Sequence, residues 1–151
     1  MQTYVFIIFT TITLFITGCF SPNIKLFTDS RDPLREFTLQ GKGKGKILLI
    51  PVNGMISDAS EKGLLRSEPS IVQRVVSQLR KAEKDPDIKA ILFKINSPGG
   101  TVTASDILYH EIMAFKRKKG VKVAVSMMDL AASGAYYISL PADMIMALPT
   151  T

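Results

Sequence analysis

Cysteine and histidine are almost missing from these 151 residues: Cys19 and His110 occur once each. One cysteine excludes an intrachain disulfide. With a single histidine beside it, a Cys/His zinc cluster is excluded as well, so no metal is expected. Charged residues are only 21% of the chain and never interleave with the 8% that are aromatic. The 19 Lys+Arg against 13 Asp+Glu leave a formal net charge of +6. That modest excess reads as a solvated surface near an anionic membrane, not as a nucleic-acid groove. An apolar fraction of 46% rules out a disordered chain, and the length suits one globular domain.

Met1 to Gly18 carries no charged side chain, and its apolar stretch from Tyr4 to Ile16 is diluted only by Thr10, Thr11 and Thr13. A bilayer-spanning helix needs about 20 apolar residues, a signal-peptide core about 7–15. Ile16-Thr17-Gly18-Cys19 follows at once. A branched apolar residue, two small ones and a cysteine resemble the bacterial lipoprotein cleavage box. That resemblance implies lipidation of Cys19, which would become the mature N-terminus held by two or more acyl chains. An uncleaved membrane anchor is the alternative. Residues 20–45 hold no hydrophobic period. Ser21-Pro22-Asn23, Asp32-Pro33 and the alternation Gly41-Lys42-Gly43-Lys44-Gly45-Lys46 read as a flexible linker. That alternation lacks the spacing of a P-loop or a dinucleotide fingerprint.

From residue 46 a strand–helix pattern repeats. Ile47-Leu48-Leu49-Ile50, extended through Pro51-Val52, predicts a strand buried on both faces. Ser70 with Gln73 forms a capping box ahead of the apolar stripe Ile71, Val72, Val75, Val76 and Leu79, and Asp85-Pro86-Asp87 ends that helix. Ile88 to Asn96 is a second strand. A second helix begins near Thr101–Thr103 with Ala104, Leu108, Ile112 and Phe115 on one face and His110 pointing outward. Lys116-Arg117-Lys118-Lys119 complements the dipole of its last turn, and Gly120 caps it. Val121 to Met127 is a third strand, Ala131 to Leu140 a short helix, and Met144 to Ala147 a fourth strand. This alternation implies an α/β fold with parallel strands, and ligands in such sheets gather at the strands' carboxyl ends.

Two turns fall at those ends. In Asn96-Ser97-Pro98-Gly99-Gly100-Thr101, paired glycines between strand and helix leave N–H groups aimed outward, as an oxyanion hole requires. Alone, Pro-Gly-Gly is also an ordinary tight turn. In Ala131-Ala132-Ser133-Gly134-Ala135-Tyr136-Tyr137, a serine flanked by small residues is reachable at a helix start. Alone, Ser133 reads as a helix N-cap sooner than as a nucleophile.

Taken together with Pro141-Ala142-Asp143, the two turns closely resemble the signal peptide peptidase A family of serine peptidases, over residues 46–151. The resemblance implies a ClpP/crotonase-like fold, oligomeric assembly, membrane attachment and peptide substrates such as signal-peptide remnants, with no cofactor and no nucleic acid. It implies Ser133 as nucleophile, and Gly99 or Gly100 with the Ser133 backbone amide as oxyanion donors. The family's base is a lysine some tens of residues after the serine, sometimes from a neighbouring subunit. No lysine follows Lys122 here. The general-base lysine is therefore expected to be absent, and the chain to be a fragment or truncated product, inactive alone. Ala135 stands where the family usually has a second glycine, and Asp129 where a small residue is usual. A CoA-thioester enzyme of the same fold and an inactive membrane lipoprotein remain as alternatives. The domain is expected on the extracytoplasmic side of a bacterial membrane. Metabolic labelling with palmitate should mark the protein and be lost in Cys19→Ala; a label that survives the substitution excludes lipidation at this cysteine.

Overall fold

The structure is a computed structural model that describes residues 34–62 and 67–151. Cys19 and the apolar leader lie outside the described residues, as does the first part of the expected linker. Residues 34–45 form no helix or strand.

Four parallel strands make the sheet, in the order β1 (Lys46–Asn53), β4 (Ile88–Ser97), β5 (Lys122–Ala131), β6 (Met144–Ala147). A small antiparallel pair, β2 (Glu61–Lys62) and β3 (Ser67–Glu68), is inserted after β1. The sequence pattern carried no strand signal there. Helix α1 (Ile71–Lys84) crosses from β1 to β4, and α2 (Val102–Lys119) from β4 to β5. Parallel neighbours require such crossovers, because a tight hairpin can only reverse the chain.

The helix ends form where their side chains predict. Ser70 Oγ accepts from Gln73 N at 3.1 Å, and Gln73 Oε1 accepts from Ser70 N at 3.3 Å. Thr101 Oγ1 caps α2 by accepting from Ala104 N, and Gly120 closes it in the left-handed region. The apolar stripes of α1 and α2 pack on one face of the sheet. They meet Ile50 and Val52 of β1, Ile91, Phe93 and Ile95 of β4, and Val123, Val125 and Met127 of β5 in one core cluster. Burying a side chain of this kind contributes about 1.5–3 kcal/mol, which makes this layer the main stabilising element of the fold.

The opposite face is different. Register aligns Leu49 with Leu92 and Ala124, and Pro51 with Lys94 and Ser126. Pro51 and Lys94 are exposed and the others half-buried. The first strand is therefore buried on one face, not two, because α1 and α2 pack against each other on the same side. The short third helix also departs from expectation. Strand β5 runs on to Ala131, and α3 covers only Gly134–Tyr137.

The basic end of α2 is a set of ties. Lys119 Nζ donates to the Glu83 and Asp85 carbonyls at 3.1 and 2.6 Å, closing the C-terminus of α1. Lys118 pairs with Glu83. Lys116 and Lys122 both reach Asp143, each at 3.1 Å. Asp143 also accepts from Val123 N at 2.9 Å, which sets where β6 begins. The Val123 amide, then Lys122, lower the Asp143 carboxyl from an ordinary 3.8 to about 2. A depressed carboxylate stabilises the fold above its unfolded value and loses that contribution as pH falls through its folded one. Unfolding midpoints should therefore fall between about pH 4 and 2, and Asp143→Asn should flatten that segment of the curve while lowering stability at neutral pH. Denaturant titrations across this range check it.

Candidate active site

The carboxyl ends of β1, β4 and β5 converge on the two turns singled out in the sequence. Strand β1 passes into Gly54, whose N–H donates to the Asn96 carbonyl at 3.1 Å. The chain then pairs with the glycine turn. Ile56 N donates to Gly99 O at 2.8 Å, and Thr101 N donates to Ile56 O at 2.9 Å. Gly100 sits in this parallel bridge so closely that a Cβ there would fall 1.8 Å from Ile56 O. No other residue fits.

Gly99 faces the serine turn. Its φ is +96°, and a Cβ on it would lie 2.7 Å from Gly134 N, 2.8 Å from Ala132 O and 2.9 Å from Ser133 Cβ. Ala132 N donates to Ser97 O at 3.2 Å, closing the contact from below. Residues 97–100 and 131–134, separated in sequence by helix α2, thus touch backbone to backbone.

Ser133 is held at φ 50°, ψ −122°, where L side chains are uncommon. Such a residue costs on the order of 1–3 kcal/mol, and it persists only where its surroundings over-determine it. The side chain is exposed, and it makes no capping bond to α3. The alternative role as an ordinary N-cap is therefore not what the geometry shows. The left-handed Ser133 is also why the helix begins only at Gly134. Behind it, Gly134 is pressed on α2, where a Cβ would meet Ser105 Oγ at 2.1 Å.

The amides around Ser133 divide into two groups. Gly99 N–H donates to the buried Ser97 Oγ at 3.1 Å. The N–H groups of Gly100, Ser133 and Gly134 have no hydrogen-bond partner among the described residues. Gly134 lies beside Gly100, since a Cβ on it would be 3.4 Å from Gly100 N. The sequence pointed to Gly99, Gly100 and Ser133 for such donors but not to Gly134. A serine followed by glycine at a helix start was the available signal. The departure at Asp129 falls in the irregularity between β4 and β5, where Ile95 pairs with Met127 but Ser97 pairs with Ala131. There Asn96 Nδ2 donates to Asp129 Oδ2 at 3.3 Å.

His110, Lys116 and Lys122 lie away from the serine turn. His110 is exposed on α2 and its Nε2 is 3.5 Å from Asp106. Lys116 and Lys122 are bound to Asp143 at the amino end of β5. A strand rises about 3.3 Å per residue, which puts them about 30 Å from Ser133. Among the described residues no group of acidic, histidine or cysteine side chains could hold a metal.

Known proteins bear on this arrangement directly. The sequence profile of the Clp protease family matches residues 66–151, and the chain belongs to that family. Several curated relatives are named as proteases, some of them as SppA. "Protease 4" of Salmonella typhi is 44% identical over 109 residues, covering 71% of this chain and 16% of that protein. "Serine protease SPPA, chloroplastic" of Arabidopsis thaliana is 36% identical over 107 residues, covering 70% of this chain and 15% of that protein. This chain thus spans a minor part of these relatives' length. A solved ClpP1 mutant from Listeria monocytogenes superposes with a TM-score of 0.49 and 25% identity, covering 62% of this chain and 46% of that one.

The contact at Gly99 sets a direct test. Gly99→Ala combines a positive φ with a Cβ driven into the Ser133 turn. It should destabilise the protein by more than about 1 kcal/mol in chemical denaturation.

Proposed function

We propose that this chain supplies the nucleophile and oxyanion donors of a membrane-attached serine endopeptidase that cuts signal-peptide remnants and other short unfolded chains. The observation that carries the reading is the exposed, uncapped hydroxyl of Ser133 on a left-handed turn, against Gly99 and beside unpartnered amides. A thioester enzyme of the same fold needs the amides but has no use for a serine held at such a cost.

In this reading Ser133 Oγ attacks the scissile carbonyl carbon as its proton passes to a neutral lysine amine. The oxyanion takes N–H donors from Gly100 and from Ser133 or Gly134. Gly99 shapes the turn, with its own amide engaged by Ser97. The C–N bond then breaks, and the leaving amine takes the proton back from the lysine. Water, deprotonated by the same lysine, hydrolyses the acyl-enzyme and regenerates the serine. The family resemblance implies that a neighbouring subunit can contribute this lysine. Desolvation keeps it neutral near pH 7. No cofactor takes part.

The family resemblance supports assembly of several copies around peptide substrates. With the apolar N-terminal sequence, it also supports attachment to a bacterial membrane on its extracytoplasmic side, by lipid on Cys19 or by an apolar N-terminal anchor. Among the described residues no helix is long and apolar enough to cross a membrane. A fluorophosphonate probe should label the protein expressed from its natural gene and leave Ser133→Ala unlabelled. Labelling that survives the substitution removes Ser133 from the reaction.

A further inference from the structure

The α3 helix is a single turn, and its own bonds, Tyr137 N to Ser133 O and Ile138 N to Gly134 O at 3.0 Å each, cannot orient it. Besides the packing of Gly99 on the serine turn, it is tied to α2. At one end Gly134 rests on Ser105. At the other, Tyr137 Oη donates to Asp106 Oδ1 at 3.0 Å. The Tyr137 ring stacks on Tyr109 with centroids 4.7 Å apart and planes 20° from parallel. Tyr109 in turn meets His110 edge-on at 5.2 Å. Asp106, Tyr109 and His110 are one helical turn of α2; the first two contact Tyr137, whose backbone N–H bonds to the Ser133 carbonyl, and His110 flanks them.

We propose that Tyr137 is a positioning residue for Ser133: its phenol, held by Asp106 and braced by Tyr109, ties the nucleophile turn to α2. The tie is peripheral. Asp106 and His110 are largely exposed, at 52% and 67%, and Tyr137 is only partly buried. Losing one hydrogen bond there removes little from the global fold. Its effect falls on the local angle at which the left-handed serine is presented, and small misplacements of a reacting group are expensive in rate. This inference rests on the reading of Ser133 as nucleophile, but the tie itself can be measured without that chemistry.

Tyr137→Phe keeps the stacked ring and removes the bond. In the protein expressed from its natural gene, it should slow fluorophosphonate acylation by about tenfold, with probe affinity and thermal midpoint unchanged. Asp106→Asn, which keeps an acceptor, should acylate near the wild-type rate, and Asp106→Leu should match Tyr137→Phe. Combining Asp106→Leu with Tyr137→Phe should be no slower than either alone, since both remove one interaction. Independently, amide hydrogen exchange at residues 133–138 should quicken in Tyr137→Phe while the core strands stay protected. Wild-type acylation by Tyr137→Phe overturns the proposal, as do effects that add in the double variant or unchanged exchange at 133–138. If Ser133→Ala still labels, the nucleophile reading fails, and the exchange measurement alone decides the tie.

Discussion

The arrangement depends on three stretches of backbone brought closer than side chains would permit. Gly100 admits the Ile56 carbonyl, and Gly99 admits the turn of Ala132, Ser133 and Gly134. Each contact needs a missing Cβ, and each is secured by main-chain bonds at 2.8–3.2 Å. Crowding of this kind has a chemical result. The N–H groups of Gly100, Ser133 and Gly134 have no hydrogen-bond partner among the described residues, at the turn where the serine hydroxyl emerges. Donors fixed by the fold need no reorganisation when negative charge develops beside them.

The charged ties and the serine turn sit at opposite ends of the sheet. At the amino end of β5, Lys116 and Lys122 converge on Asp143, and Lys119 closes α1. Those charges satisfy carbonyls and a carboxylate and are therefore not available to a reaction. At the carboxyl end the strained φ of Ser133 is held by buried neighbours, Ala135 and Ile138 among them. The core between the two ends is apolar and continuous, which lets it transmit the position of α2 to the one-turn helix that carries the serine.

Much of this was legible in the chain. The capping box of Ser70 and Gln73, the glycine stop at Gly120 and the fourth strand at Met144–Ala147 all lie where local chemistry puts them. A cap or an apolar run acts within a few residues. The two motif turns were legible for the same reason, as short strings of small residues between a strand and a helix. The serine helix came out shorter than its apolar content suggests, since helix propensity carries no information about a left-handed residue at position 133. The hairpin of residues 61–68 left no periodic signal, being only two residues per strand.

By itself the sequence determined the chain order of the four sheet strands and the two long helices, the caps of those helices, and the family to which the chain belongs, because these depend on neighbours in the chain. Only the tertiary structure decided that β1 is covered on one face, that Ser97 occupies the Gly99 amide while Gly134 keeps its own free, and that Tyr137 meets Asp106 across two helices. Ser97 and Gly99 are two residues apart and need only the folded turn, whereas the cover on β1 and the Tyr137–Asp106 bond join residues far apart in sequence.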